Sequence, residues 1–145
     1  MEMYRYATMD DLELLVNIRL KDLKMYSSQP IENKTIDNIR NFYRNGMNSH
    51  TLKTLLCYQE DLLIGHATVY VYQVMPSNSN QTGIVGQITN VFVDQKYRHK
   101  GIGAALIEEL TKDKNIGLYC LNSSKDAMEF YKKLGFQMKD NYMCK

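Results

Sequence analysis

The stretch VFVDQKYRHKGIGAAL, residues 91–106, decides the fold, because an apolar run ends in a basic turn with two glycines and a periodic apolar segment follows. This change of period predicts a strand that ends at Val93 and a helix that begins near Ile102. Gly101 and Gly103 lack a Cβ, so the backbone N–H groups at the start of the helix can come close to an anion. The turn therefore predicts a phosphate-binding site.

The glycine turn can be compared with the known phosphate-binding motifs. A Gly-x-Gly pair by itself often makes only a tight connection between a strand and a helix. A dinucleotide-binding fingerprint needs a third glycine or alanine where Leu106 stands, and a P-loop needs Gly-Lys-Ser/Thr, whereas Ala104 follows the last glycine here. The turn fits neither motif, and Arg98 and Lys100 add positive charge for a phosphate.

Length and composition indicate one ordinary globular domain. The chain has 145 residues, of which 44% are hydrophobic and 23% are charged, and this is too short for two domains of usual size. We therefore expect residues 1–145 to form a single domain with a single site. The net charge of +2 provides no strong field for nucleic acid or a membrane surface, so we expect neither as a partner.

The cysteines and the first residues predict a cytoplasmic protein. Cys57, Cys120 and Cys144 follow neither a disulfide framework nor a zinc-binding spacing, which favours a reducing compartment and predicts no metal. Asp10 and Asp11 interrupt the region where a signal peptide would be apolar. No later stretch is apolar for long enough to span a bilayer.

Periodicity and turn residues predict the order of the elements, αα-βββ-αβαβ. The predicted helices are 9–26, 35–45, 102–112 and 125–134, and the predicted strands are 52–58, 62–74, 84–93, 116–121 and a last pair at 136–138 and 142–144. Gly46 and Gly135 are expected to end the helices that precede them.

Two motifs resemble those of the GCN5-related N-acetyltransferase (GNAT) superfamily. VFVDQKYRHKGIGAAL is similar to the family's acetyl-coenzyme A signature, R/Q-x-x-G-x-G/A after a strand, with Arg98, Gly101 and Gly103 at the matching positions. SSKDAMEFYKKLGF, residues 123–136, is similar to the family's closing helix segment with its tyrosine. The resemblance implies an α+β fold: a single GNAT-type domain with a central mixed, mostly antiparallel twisted sheet flanked by helices.

The same resemblance implies acetyl-coenzyme A (acetyl-CoA) as the co-substrate, without a metal. Tyr131 has the position of the tyrosine that protonates the coenzyme A sulfur, and a tyrosine with a pKa of about 10 carries its proton at neutral pH. The residues that the resemblance assigns to acetyl-CoA lie on the strand, in the turn and before the last helix: Val91, Phe92, Val93, Arg98, His99, Lys100, Gly101, Ile102, Gly103, Ala104, Asn122 and Ser124. The backbone of the strand residues is expected to pair with the pantetheine arm, while their side chains mostly serve the core.

The sequence departs from the family pattern at two positions. Gln87 stands where related enzymes often have a glutamate base, and Ser124 stands where an asparagine is common. An amide cannot take a proton from the acceptor amine. The base is therefore open between a water held by Gln87 and Asn90, a carboxylate or His66 from elsewhere, and an amine that arrives deprotonated.

These observations predict an acetyl-CoA-dependent N-acetyltransferase that acts on a primary amine of a small molecule or peptide. The alternative is an acyl-CoA-binding regulatory module with little turnover, which the missing glutamate favours. A nucleic-acid patch at KYRHK is too short in a chain of such modest charge. Tyr26, Tyr70 and Tyr72 are candidates to line the acceptor pocket, and the protein is expected to be a monomer or a homodimer.

Overall fold

The computed structural model describes residues 1–139 and 141–145, and it arranges them around one five-stranded sheet. The helices are α1 (Leu12–Tyr26), α2 (Asn33–Asn48), α3 (Ile102–Leu110) and α4 (Met128–Lys133). The strands are β1 (Glu2–Tyr6), β2 (Leu52–Gln59), β3 (Leu62–Gln73), β4 (Ile84–Val93) and β5 (Leu118–Cys120). No helix in the described ranges is both long and apolar enough to cross a bilayer.

The strands lie in the sheet in the order in which they occur along the chain, β1-β2-β3-β4-β5. The pairs β1–β2, β2–β3 and β3–β4 are antiparallel, and β4 pairs with β5 in parallel. A parallel neighbour needs a crossover connection, and α3 provides it. The predicted mixed, mostly antiparallel sheet flanked by helices is confirmed.

Helices cover both faces of the sheet because successive side chains of a strand point to opposite sides. Leu55 packs into a buried cluster that contains Ile102 and Leu106 of α3, and this side is the α3/α4 face. The next residue of β2, Leu56, packs into a second cluster that contains Leu15 of α1 and Tyr43 of α2, and this side is the α1/α2 face. Functional side chains near β4 are therefore divided between two separate environments.

Three details of the predicted element order are wrong. The described chain starts with β1, which the sequence did not predict. All five of its residues are exposed, so its sequence lacks the alternation of apolar and polar residues that marks a half-buried strand. Gly46 lies inside α2, where the Cβ of any other residue would lie 2.6 Å from Leu52, so it serves packing and does not end the helix. Residues 136–138 and 142–144 form no strand; all of them except Phe136 are exposed, so they would gain little burial from a place in the sheet.

Candidate functional site

Strand β4 separates from β5 halfway along its length. Val85, Gly86 and Gln87 pair with Leu118, Tyr119 and Cys120, and there the parallel pairing stops. Residues 88–93 continue β4 with only β3 as a neighbour in the described part of the chain. An unpaired strand edge presents backbone N–H and C=O groups that an extended ligand can bind. Val91, Phe92 and Val93, predicted to bind acetyl-CoA, all lie on this edge.

A β-bulge interrupts β4 just before those three residues. Thr68 pairs with Thr89 and His66 pairs with Phe92, so β4 contains one residue more than β3 between these pairs. Asn90 lies in this interval with a φ of +53°, a conformation that asparagine tolerates better than most residues. The bulge changes the direction of the strand at the point where it leaves β5.

The side chains of the three edge residues divide between the two faces. Val91 and Val93 pack against the cluster of the α3/α4 face, as predicted. Phe92 lies on the other side, where its ring stacks on His66 with centroids 5.4 Å apart, and it is 36% exposed. The bulge and the pleat turn Phe92 toward the α1/α2 face, where it is not part of the buried cluster, so it departs from the expected core role.

The glycine turn has the backbone that an anion site requires. Gly101 precedes α3 with a φ of +87°, and no heavy atom lies within 4 Å of the place where a Cβ would be. Ala105 donates to the Gly101 carbonyl over 3.0 Å, so the N–H groups of Ile102, Gly103 and Ala104 come before the helical hydrogen-bond ladder. These free donors at a helix N-terminus favour a phosphate.

Basic residues surround the turn. Arg98, His99 and Lys100 are exposed, and the Lys100 Nζ lies 5.4 Å from the centroid of the Tyr97 ring. Arg98 donates from Nε to the Val93 carbonyl over 2.9 Å, which fixes its guanidinium between the end of β4 and the turn. An open cleft of about 590 Å³ lies there, lined by Phe92, Asp94, Gln95, Lys96 and Arg98.

Gly103 joins the turn to α4. A Cβ at this position would lie 3.1 Å from the Phe130 ring and 3.8 Å from Val93. The absence of a side chain therefore lets Phe130 pack against the start of α3, next to the candidate acid Tyr131. A bulky residue at Gly103 would displace Phe130 as well as obstruct a phosphate.

Tyr131 is buried on the α3/α4 face with 8% of its surface exposed. Its ring lies edge-on to Phe130, at 5.0 Å between centroids, and to Phe136, at 5.9 Å. Burial is the main cause that raises the pKa of Tyr131 above its usual range, and the nearby Tyr26 adds a smaller effect. The hydroxyl therefore keeps its proton at neutral pH. This hydroxyl has no hydrogen-bond partner within 1–139 and 141–145, and it is free to donate to a ligand.

Asn122 and Ser124 lie in the exposed segment between β5 and α4. The Ser124 carbonyl accepts hydrogen bonds from the Ser123 hydroxyl, over 2.7 Å, and from the Ala127 N–H, over 3.2 Å. These bonds shape the start of the last helical segment. The two side chains are accessible to a ligand, but the geometry does not join them to the glycine turn.

Several polar side chains on the α1/α2 face lie around the point where β4 and β5 separate. The Cys120 thiol donates to Gln87 Oε1 over 3.0 Å and lies 3.9 Å from the Tyr72 hydroxyl. Burial raises the pKa of the Cys120 thiol. Burial is also the main cause that raises the pKa of Tyr72 to about 12, and the nearby Cys120 adds to it. Tyr70 lies 6.1 Å from Tyr72 between ring centroids. Among the described residues, the Gln87 side chain therefore bonds to a neutral thiol and not to a carboxylate.

A carboxylate reaches this face from α1. Arg19 donates from one nitrogen, Nη1, to Asp22 Oδ2 over 3.2 Å and to Asn90 Oδ1 over 2.9 Å, so Asp22 is linked to the bulge through one guanidinium nitrogen. The Asp22 side chain is 28% exposed. Burial raises the pKa of Asp22, and the charge of Arg19 opposes that change.

His66 is the other candidate base whose surroundings are defined. Its Nδ1 lies 2.7 Å from the Asn90 carbonyl oxygen, and because a carbonyl only accepts, Nδ1 carries the hydrogen. Burial lowers the pKa of His66, while the bond to Asn90 opposes that change, so the ring is neutral at pH 7. The His66 side chain therefore makes an ordinary hydrogen bond, and its partner is the backbone of Asn90 in the bulge.

The sequence interpretation did not identify Arg19, Asp22 or Tyr43 as residues near the site. A signal was present, because Arg19 and Asp22 follow the buried Leu15 by four and seven residues and thus lie on the apolar side of a helix. Polar residues at such positions usually have partners when they are buried. Among the residues that the structure describes, no group of three or more His, Cys, Asp and Glu side chains could hold a metal ion.

Comparison with known proteins identifies the family of this chain. Residues 51–138 match the family model described as "Acetyltransferase (GNAT) domain". Glucosamine 6-phosphate N-acetyltransferase of Trypanosoma brucei brucei is 32% identical over 93 residues, which is 61% of this chain and 61% of that enzyme's length.

Two solved structures share the whole fold. A predicted acetyltransferase from Clostridium acetobutylicum, solved with acetyl-CoA, is 29% identical and has a TM-score of 0.89 over 99% of this chain and 94% of its own. A GCN5-related N-acetyltransferase from Ralstonia eutropha has a TM-score of 0.83 at 20% identity, over 100% of this chain and 97% of its own. With the family model spanning more than half of its residues, this chain belongs to the GNAT acetyltransferase family.

Proposed function

We propose that this protein is an acetyl-CoA-dependent N-acetyltransferase that transfers an acetyl group to a primary amine by direct attack in a ternary complex. The observation that carries the proposal is the unpaired edge of β4, which leads directly into the positive-φ glycine turn. Together they offer backbone donors first to an extended pantetheine arm and then to a pyrophosphate. Arg98 adds a full positive charge next to the turn.

The reaction requires a bond between the amine nitrogen and the acetyl carbon, loss of the carbon–sulfur bond, and two proton movements. The backbone N–H groups of the β4 edge would stabilise the negative charge that develops on the carbonyl oxygen. The Tyr131 hydroxyl would donate its proton to the departing thiolate, and its raised pKa keeps that proton available at neutral pH. The amine's proton leaves to solvent or to a base on the α1/α2 face.

We assign the acceptor to that face. Its walls are aromatic, since Phe42 lies edge-on to Tyr70 at 5.1 Å and Tyr70 lies 6.1 Å from Tyr72. Asp22 supplies a partly buried carboxylate that would attract an ammonium group. A positively charged small molecule or peptide amine suits this combination, and Tyr26 is a further candidate because it lies near enough to Tyr131 to contribute to the raised pKa of that hydroxyl.

A second function remains a candidate because Gln87 accepts a hydrogen bond from Cys120 and cannot take a proton. That arrangement favours an acyl-CoA-binding regulatory module with little turnover. We place the protein in the cytoplasm, where its cysteines, free in the described part of the chain, would stay reduced, and we expect a monomer or a homodimer.

A thiol-release assay with acetyl-CoA separates the two functions. The acceptors are small amines, amino acids, polyamines, antibiotic amines and peptides, with glucosamine 6-phosphate included because the trypanosomal relative is named for it. An N-acetyltransferase releases coenzyme A only when its amine is present. Tight acetyl-CoA binding, measured by calorimetry, with no release by any acceptor would support the regulatory module.

A further inference from the structure

The bulge of β4 is held by four residues from four different elements, which we call the bulge clamp: Arg19, Tyr43, His66 and Asn90. Arg19 lies on α1, Tyr43 on α2, His66 on β3 and Asn90 on β4. Asn90, Tyr43 and His66 are all less than 9% exposed. Residues distant in sequence thus meet at one residue of the sheet.

Three polar atoms of Asn90 have partners in the clamp. Its side-chain oxygen accepts from Arg19 over 2.9 Å, its side-chain nitrogen donates to the Tyr43 hydroxyl over 2.8 Å, and its carbonyl accepts from His66 over 2.7 Å. An arginine can only donate, so the oxygen of the amide must face Arg19 and the nitrogen must face Tyr43. This arrangement fixes both the side chain and the backbone of Asn90 in one orientation.

The hydrogen bonds of the clamp hold Asn90 in an unfavourable backbone conformation. A non-glycine residue with a φ of +53° adopts a sparsely populated conformation, which persists where its surroundings enforce it. The bulge lies three residues after Gln87, the last residue of β4 paired with β5, and directly before the edge residues Val91 to Val93. The orientation of the backbone N–H groups on this edge therefore depends on the bulge.

We propose that Asn90 is a positioning residue for acetyl transfer, and that the bulge clamp aligns the β4 edge with the carbonyl of the thioester. This inference rests on the proposed function. Stabilisation of a developing negative charge depends on donors that are already in place, so a small rotation of the bulge reduces it strongly. The clamp also links α1 and α2, which form the acceptor side, to the backbone that would polarise the acyl donor.

A purely structural role would also make clamp variants less stable, so stability alone cannot test the proposal. The informative measurement is the carbonyl stretching band of acetyl-CoA, labelled with ¹³C at the carbonyl carbon, in an infrared difference spectrum of the complex. Hydrogen bonds to the carbonyl oxygen move this band to lower frequency than in free acetyl-CoA. The band therefore reports the alignment of the β4 edge directly, without turnover.

Tyr43→Phe removes the hydroxyl that Asn90 donates to and keeps the ring in the core. We expect its carbonyl band to move toward that of free acetyl-CoA, its kcat to fall roughly tenfold or more, and its KM for acetyl-CoA to stay within about twofold of wild type. Tyr58→Phe is the matched control, because Tyr58 packs in the same cluster and its hydroxyl bonds only to Arg5, at 3.4 Å, among the described residues. This control should keep the wild-type band and kcat.

Asn90→Asp and Asn90→Gly extend the test at the bulge itself. Asp can still accept from Arg19 and can accept from the Tyr43 hydroxyl, so we expect it to keep most of the band shift, whereas Gly tolerates the backbone angle but loses the clamp and the shift. A wild-type band and kcat in both Tyr43→Phe and Asn90→Gly would overturn the proposal. Wild-type protein that shifts the band but acetylates no amine would contradict only the proposed transfer, and protein that binds no acetyl-CoA would overturn both.

Discussion

The two faces of the sheet surround the same strand, β4, with different kinds of interaction. On the α3/α4 face, Val91 and Val93 join an apolar cluster, and the polar groups available to a ligand are the backbone of the edge, the turn at Gly101 and the Tyr131 hydroxyl. On the α1/α2 face, side chains bond to one another around Asn90. The side proposed for acetyl-CoA thus depends mainly on backbone conformation, while the side proposed for the acceptor amine depends on side-chain chemistry.

This difference predicts that variants on the two faces affect different steps. Changes near the glycine turn should alter acetyl-CoA binding or proton donation to sulfur. Changes around Asp22 should alter acceptor binding, and changes in the bulge clamp should alter the alignment between the two substrates. The following predictions are ordered from the largest expected effect to the smallest.

Tyr131→Phe should have the largest effect. It removes the proposed acid and keeps the ring that packs against Phe130 and Phe136, so kcat should fall roughly a hundredfold while acetyl-CoA affinity stays within about twofold of wild type. Steady-state thiol release and calorimetry measure the two quantities. Tyr119→Phe, which removes a hydroxyl bonded to the Asp113 carbonyl at 3.0 Å, is the control and should retain wild-type kcat. Equal turnover in Tyr131→Phe would exclude Tyr131 as the acid.

Gly101→Ala should come next, and Gly135→Ala provides a matched control. The two glycines have φ angles of +87° and +96°, and neither has a heavy atom within 4 Å of the position that a Cβ would take, so both variants should lose about 1 kcal/mol of unfolding free energy from backbone strain. Only Gly101→Ala should weaken acetyl-CoA binding, by roughly tenfold, because a methyl group would hinder the approach of a phosphate. Urea unfolding and calorimetry separate the two effects. Equal acetyl-CoA affinity in both variants would remove Gly101 from the phosphate site.

Asp22→Asn should raise the KM for the acceptor amine about fivefold and leave acetyl-CoA affinity unchanged, because it removes a partly buried negative charge that attracts an ammonium group. Asp37→Asn is its matched control. Asp37 forms the same kind of pair with an arginine three residues away, Arg40, at 3.3 Å on the neighbouring helix. Steady-state kinetics with the acceptor found in the thiol-release assay measures both variants. A similar change in KM in the two would show that the effect is not specific to the acceptor face.

The same division between the faces explains what the sequence could predict. The strand, the glycine turn and the helix after it are neighbours along the chain, so local period and two glycines are enough to predict the donor site. The bulge clamp joins residues 19, 43, 66 and 90, and no local pattern relates them. Asn90 gave only a weak local signal, as a polar residue that interrupts the apolar alternation of IVGQITNVFV. The strand β1 was missed because its residues are exposed on both sides.

The pH dependence of stability should show the smallest effect, and it tests the α1/α2 face alone. Burial lowers the pKa of His66 below 6.5 in the folded protein, so below about pH 6.5 the unfolded chain binds a proton that the folded chain does not. The contribution of His66 is therefore complete above pH 6.5 and is lost as the pH falls toward the folded pKa, with a slope of at most about 1.4 kcal/mol per pH unit, the limit for one proton.

His66→Asn should remove that part of the slope, as measured by urea unfolding at several pH values between about 5 and 8. Asparagine keeps an N–H that can donate to the Asn90 carbonyl but has no group that titrates in this range. Thr54→Val is the control, because it removes a buried hydrogen bond of 2.7 Å to Thr68 on the same face without a change in titratable groups. It should lower stability equally at every pH. If His66→Asn kept the full wild-type slope, the loss of stability at low pH would arise outside the bulge clamp, and His66 would not be its neutral donor.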